Sequence, residues 1–195
     1  KRNWHISNLT FRFNGVATPA DGHGLSLGTS GGVSGAGTVI DSCRFYGNSG
    51  RSVYGPLWSG GAKADSVWVT RSIFDGLTVG RMTYQAGKSR LEENTGSINV
   101  QGVRPIIWKN TIQNLANGVN LGTGSTTPGD TGIGYCGTVS LNTFRYISDD
   151  ALELEGAYLI NTLVKDNNVR YTLTGISCAP VFSGPLFIIY NTISQ

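Results

Sequence analysis

A chain of 195 residues is long enough for one domain with a sizeable core, and 28 glycines with only 14 % charged residues favour a turn-rich, all-β architecture over a helical or doubly wound one. The formal charge of +3 comes from 15 basic and 12 acidic residues; the basic ones stand singly rather than in runs, so no nucleic-acid partner is expected, while a polyanionic glycan would be tolerated. No apolar stretch reaches the ~18 residues of a membrane helix, and neither a phosphate loop nor a Gly-x-Ser-x-Gly set between a strand and a helix is present, which excludes a membrane span and nucleotide-dependent chemistry.

The opening residues Lys1-Arg2-Asn3-Trp4-His5 lack the apolar core of a signal peptide and run straight into a strand-like segment. With another strand-like segment at the close, residues 187–194, a single domain over 1–195, part of a longer chain, is the expectation. A short phrase then recurs seven times: Leu9-Thr10-Phe11, Cys43-Arg44-Phe45, Ser72-Ile73-Phe74, Asn110-Thr111-Ile112, Asn142-Thr143-Phe144, Asn167-Asn168-Val169 and Asn191-Thr192-Ile193. The last two steps between its apolar ends are 25 and 24 residues, the length of one bare repeat. Earlier steps are longer and carry insertions: a glycine-rich run over 28–37, a loop over 51–65 that holds Trp58, and one over 77–95 that holds Tyr84. Trp68 and Trp108 lie within strand segments and are expected to be packed or half-buried.

A second phrase follows the first, a polar turn leading into an alternating strand. It is seen in Asp21-Gly22-His23-Gly24-Leu25-Ser26-Leu27, in Leu115-Ala116-Asn117-Gly118-Val119-Asn120-Leu121, in Ile147-Ser148-Asp149-Asp150-Ala151-Leu152-Glu153-Leu154 and in Thr172-Leu173-Thr174-Gly175-Ile176-Ser177-Cys178. Period-2 alternation predicts Leu152 and Leu154 facing inward and Glu153 and Glu155 outward. No single repeat can bury its inner row, whereas repeats stacked about 4.8 Å apart fuse these rows into one core. In such a stack Asn110, Asn142, Asn167 and Asn191 form a structural ladder of amides at an inner bend. The sequon Asn8-Leu9-Thr10 falls in the same segment of the first repeat, which argues against glycosylation there. Three cysteines, Cys43, Cys136 and Cys178, are too few for a disulfide scaffold and match no metal-ligand spacing. Buried free thiols are the plain expectation, with a Cys136–Cys178 bridge as the alternative outside the cell.

The repeats resemble the right-handed parallel β-helix proteins of the pectate-lyase-like superfamily over nearly the whole chain, most specifically at residues 148–156 and 175–186. The resemblance implies a single-stranded parallel β-helix, a solenoid of about seven coils, outside the cell or at its surface. Members of that superfamily are mostly polysaccharide lyases, hydrolases and epimerases, with phage tailspikes and adhesins among the rest. Two functions from different classes are therefore carried forward: a polysaccharide-binding and polysaccharide-modifying protein, and a structural solenoid used as spacer, adhesin or fibre subunit. Solenoid ends need covering, and with Phe187-Ile188-Ile189-Tyr190 bare, end-to-end self-association is expected in the structural case.

Candidate chemistry centres on the acidic group Asp149, Asp150, Glu153 and Glu155. Two glutamates two apart on a strand leave the same face roughly 7 Å apart, which suits an acid and base pair or oxygen ligands for Ca²⁺. The same residues also fit turn and solvated positions, Asp149 in the place of Asn117 and Thr174, Glu153 in the place of Asn120 and Ser177. Elimination from a uronic acid needs a base and a cation that neutralises the carboxylate; Lys165 and Arg170, one repeat further on, are candidates for both, with Arg145 and Tyr171 as substrate contacts. Trp58 and Tyr84 are expected glycan platforms. Gly22-His23-Gly24 resembles the Gly-His-Gly of polygalacturonases, although here only Asp21 precedes the histidine, so His23 is carried as a substrate contact.

Overall fold

The structure, a computed structural model, describes residues 4–12, 25–26, 37–47, 53–55, 66–77, 96–100, 102–121, 132–154, 157–178 and 180–195. Among them there is no helix, and every strand pairing is parallel. This all-β arrangement of parallel sheets is consistent with a parallel β-helix.

One seven-stranded sheet takes a strand from each repeat, His5–Ser7, Val39–Asp41, Trp68–Thr70, Ile106–Trp108, Thr138–Ser140, Thr162–Lys165 and Leu186–Ile189, in chain order. A larger sheet begins with the strands of the recurring phrase, Thr10–Arg12, Arg44–Tyr46, Ile73–Asp75, Thr111–Leu115, Thr143–Glu153, Asn168–Ser177 and Thr192–Ser194. It continues through a second arm of Gly96–Val100 and Asn117–Asn120. A small four-stranded sheet of Gly102–Val103, Gly132–Tyr135, Ala157–Tyr158 and Val181–Ser183 makes the third.

Register is held by matching apolar rows. Ile40, Val69, Ile107, Val139 and Val164 are mutual partners in the first sheet, and Phe45, Phe74, Ile112, Phe144 and Val169 in the second; all are buried. A one-residue slip would turn either row outward, so the pattern itself fixes the pairing. Phe11, Phe45 and Phe74 stack with ring centroids 4.6 and 4.8 Å apart and planes 5° from parallel, because ring spacing and strand spacing coincide. Full burial of a ring, as at Phe45 and Phe74, stabilises the fold by about 1.5–3 kcal/mol.

Between the two large sheets the chain bends at a residue with positive φ: Ser42, Arg71, Lys109, Leu141, Asp166 and Tyr190 all lie between 50° and 57°. The next residue in each case is the first of the recurring phrase. Asn142 shows what it does: its Oδ1 accepts from the Asn110 backbone N–H at 2.9 Å, and its Nδ2 donates to the Ile107 carbonyl at 3.0 Å and to Asn167 Oδ1 at 3.0 Å. Asn110, Asn167 and Asn191 repeat the pattern. Ser72 continues it with a hydroxyl that accepts from the Cys43 N–H, and Cys43 closes it as a thiol donating to the Asp41 carbonyl at 3.4 Å.

Several expectations are corrected. Only Cys43 is a buried thiol; Cys136 and Cys178 are free and exposed, because Cys136 sits on a turn at φ 54° and Cys178 follows the end of a strand. Trp68 is exposed, since Val67 and Val69 on either side take the buried positions. Trp108 is half-buried beneath the Lys109 ammonium, 4.4 Å from its ring centre. Phe187, Ile188, Ile189 and Tyr190 are exposed, in line with the bare segment expected there.

Candidate functional site

Glu153 is not on a solvated face. From Ala116 to Leu121 and from Ala151 to Leu154 every residue is buried, so both faces of this arm are covered and alternation no longer separates core from surface. Leu152 pairs with Val119 and Ile176 in the inner row. Glu153, 7 % exposed, accepts a hydrogen bond at 3.1 Å from Asn117 Nδ2, whose Oδ1 takes the Asp150 N–H at 3.1 Å. Asn117 thus ties the carboxylate to the bend above it. Asn120, the register partner of Glu153, is 1 % exposed and neither side-chain polar atom has a hydrogen-bond partner.

Asp149 and Asp150 lie where the pairing with Asn168–Ser177 shifts register, between Ile147 and Asp150. Both are half-buried, and the Asp149 N–H donates to the Ala116 carbonyl at 2.9 Å. Among the described residues no group of three or more His, Cys, Asp or Glu side chains is arranged to hold a metal ion. Glu155, His23, Trp58 and Tyr84 lie outside the described residues.

The basic candidates divide. Lys165 belongs to the seven-stranded sheet, before the Asn167 bend, and pairs with Asp166 at 3.2 Å; Arg170 lies after that bend, in the other sheet. The fold therefore places these two on different faces. It brings Arg170 instead beside Arg145, its register partner on the adjacent strand. Both are exposed, and among the described residues neither is paired with a carboxylate. Each is anchored through Nε to a neutral amide oxygen, Arg145 to Gln113 Oε1 at 2.6 Å and Arg170 to Asn168 Oδ1 at 3.0 Å.

Next in sequence to the two arginines are Tyr146 and Tyr171, stacked with ring centroids 5.2 Å apart and planes within 8°. They are 40 % and 57 % exposed. Their φ angles of 56° and 55° repeat that of Asn114 one strand earlier, at 57°. Left-handed backbone suits asparagine and costs a bulky residue about 1–2 kcal/mol; Arg71, Lys109, Leu141 and Tyr190 adopt it as well, so it belongs to the bends of this fold, and what sets 146 and 171 apart is the exposed ring pair.

Tyr146 was not among the sequence candidates, although a signal exists: Arg-Tyr recurs at 145–146 and 170–171, directly after the apolar ends of consecutive phrases. Gln113 and Asp75 gave no signal, because nothing in a single polar residue reveals which guanidinium it meets. The result is a strip of two unneutralised cations and two parallel rings on adjacent strands, able to stack on flat apolar faces and to bind anionic substituents. No protein-family model matches the chain, and no curated protein or solved structure matches it either.

Proposed function

We propose that the chain is a right-handed parallel β-helix of about seven coils, of the pectate-lyase-like kind, that binds an extended acidic polysaccharide outside the cell or at its surface. The observation that carries this reading is the exposed Tyr146 and Tyr171 ring pair, with Arg145 and Arg170 next to them in sequence. Sugar rings stack on aromatic faces through C–H and apolar contacts, and a planar guanidinium matches a carboxylate through two parallel hydrogen bonds. Because the solenoid repeats at the strand spacing, such a strip would follow a chain-like ligand rather than enclose a small one.

The test is an affinity panel of oligogalacturonate, sulfated and neutral oligosaccharides against the wild type and Tyr171→Ala. Selective binding of the acidic chains, weakened about 10-fold by loss of the ring, supports the proposal. Equal or absent binding across the panel overturns it.

Lysis, hydrolysis or epimerisation of the bound glycan is part of the same proposal, and is read by release of unsaturated or reducing ends. A structural, non-catalytic solenoid is the second reading. It is favoured by the burial of Glu153 under Asn117 and by the pairing of Lys165 with Asp166, which engage two of the groups offered as acid and base. Concentration-dependent end-to-end polymers in sedimentation, together with inactivity on every glycan, would select it.

A further inference from the structure

We infer that Asp75 and Gln113 are positioning residues for Arg145, fixing its guanidinium by Nε while leaving the terminal nitrogens to a ligand. The polysaccharide reading supplies that ligand's identity, and the geometry stands without it. Asp75, Gln113, Arg145 and Arg170 occupy one register position on four successive strands. Gln113 Nε2 donates to Asp75 Oδ2 at 2.7 Å, and Arg145 Nε donates to Gln113 Oε1 at 2.6 Å.

The direction of this relay is forced. A carboxylate only accepts, so Asp75 compels Gln113 to turn its NH₂ toward it and its oxygen toward Arg145. Asp75 is itself fixed, its Oδ1 receiving Asn114 Nδ2 and the Leu77 N–H, both at 2.8 Å. The amide is neutral, so Arg145 is oriented without being neutralised. The carboxylate stands one amide away rather than in contact, so the guanidinium's terminal nitrogens are not taken up by it. A direct aspartate contact would have held the arginine equally well and removed its charge from use. Arg170 is held by the same nitrogen, to Asn168, so among the described residues the terminal nitrogens of both arginines, on adjacent strands, meet no carboxylate.

Two readouts test the inference. The first is solvent exchange of the Arg145 Nε proton, followed by ¹⁵N nuclear magnetic resonance in the wild type, Gln113→Leu and Asp75→Asn. Slowed exchange in the wild type, lost about 10-fold in Gln113→Leu and in part in Asp75→Asn, is expected; equal exchange in all three overturns the relay. The second is the ratio of affinities for oligogalacturonate and a neutral oligosaccharide in Gln113→Glu. This variant can still accept from Nε but loses the donation to Asp75 and places a charge against Arg145, and the ratio should fall about 10-fold. An unchanged ratio, when Arg145→Ala abolishes the preference, counts against positioning. If Arg145→Ala leaves the preference intact, the polysaccharide reading fails alone and the exchange data decide the relay.

Discussion

Arg71 closes on Asp41 from the neighbouring repeat with both edges of its fork, Nε to Oδ1 at 2.7 Å and Nη2 to Oδ2 at 2.5 Å. Thr70, the register partner of Asp41, adds its hydroxyl to Oδ1 at 2.7 Å. The hydrogen bond from Arg71 is the main reason the Asp41 carboxyl is lowered from 3.8 to about 2, against an opposing push from burial. A carboxyl lowered in the folded state contributes stability that is present above its unfolded value and lost as pH falls through its folded one. Arg71→Gln removes the leading cause. Its melting temperature should therefore lie below the wild type's by a constant gap at neutral pH, the gap narrowing below 3.8 and vanishing near about 2. Circular dichroism melts across that range check this; a gap that persists at the acid limit would mean that the arginine stem, not the ion pair, matters.

The amide column makes a sharper stability prediction. Asn142→Ala strands the buried Asn110 N–H and removes the donor to Ile107, leaving two backbone groups unsatisfied in an interior where each costs about 1–3 kcal/mol. Asn142→Ser should be milder, because Ser72 already serves its neighbour's N–H with a hydroxyl. Asn191→Ala should cost least, since Asn191 is only part-buried. Urea unfolding of the three variants checks the order, and an equal loss for all three would contradict it.

How far this was legible depends on what each residue's position is set by. The recurring phrase exposed the parallel stacking because its apolar ends, Phe45, Phe74, Ile112 and Phe144, face one core and its asparagines meet each other. Alternation failed at Glu153 because it assumes one dry face and one wet one, whereas the arm from Asn117 to Leu121 is covered on both. It failed at Tyr146 for a different reason: a residue at φ 56° breaks the period of two, so its side chain joins a surface the pattern assigns to its neighbours. The relay from Asp75 to Arg145 spans residues 38 and 32 apart in adjoining steps, and only stacking brings them together.

Gly118, in the strand Asn117–Asn120, and Gly175, in Asn168–Ser177, answer to the residues packed against them. A Cβ on Gly118 would stand 2.4 Å from the Ala151 carbonyl oxygen and 2.9 Å from the Phe144 ring, and one on Gly175 would stand 2.9 Å from Ile193. Gly118→Ala should destabilise by about 1–3 kcal/mol through overpacking. Trimming the ring in Gly118→Ala/Phe144→Leu relieves only part of this, since the backbone oxygen cannot retreat. Gly175→Ala meets only side-chain atoms of an exposed isoleucine and should cost less than Gly118→Ala. Chemical denaturation of the series would expose an error here as equal losses at 118 and 175.

Tyr146 and Tyr171 allow stability and binding to be separated. Asparagine already occupies the equivalent position at 114 with the same backbone, so Tyr146→Asn and Tyr171→Asn replace a strained residue with one that tolerates left-handed φ. Each substitution should leave the unfolding free energy unchanged or raise it by up to about 1 kcal/mol, while affinity for oligogalacturonate falls about 10-fold or more as the stacking face disappears. Lower stability in both variants would show instead that the ring pair holds the sheet together. Intact binding would mean that the rings are not where the ligand lies, since no structural role for them predicts a gain in stability alongside a loss of affinity.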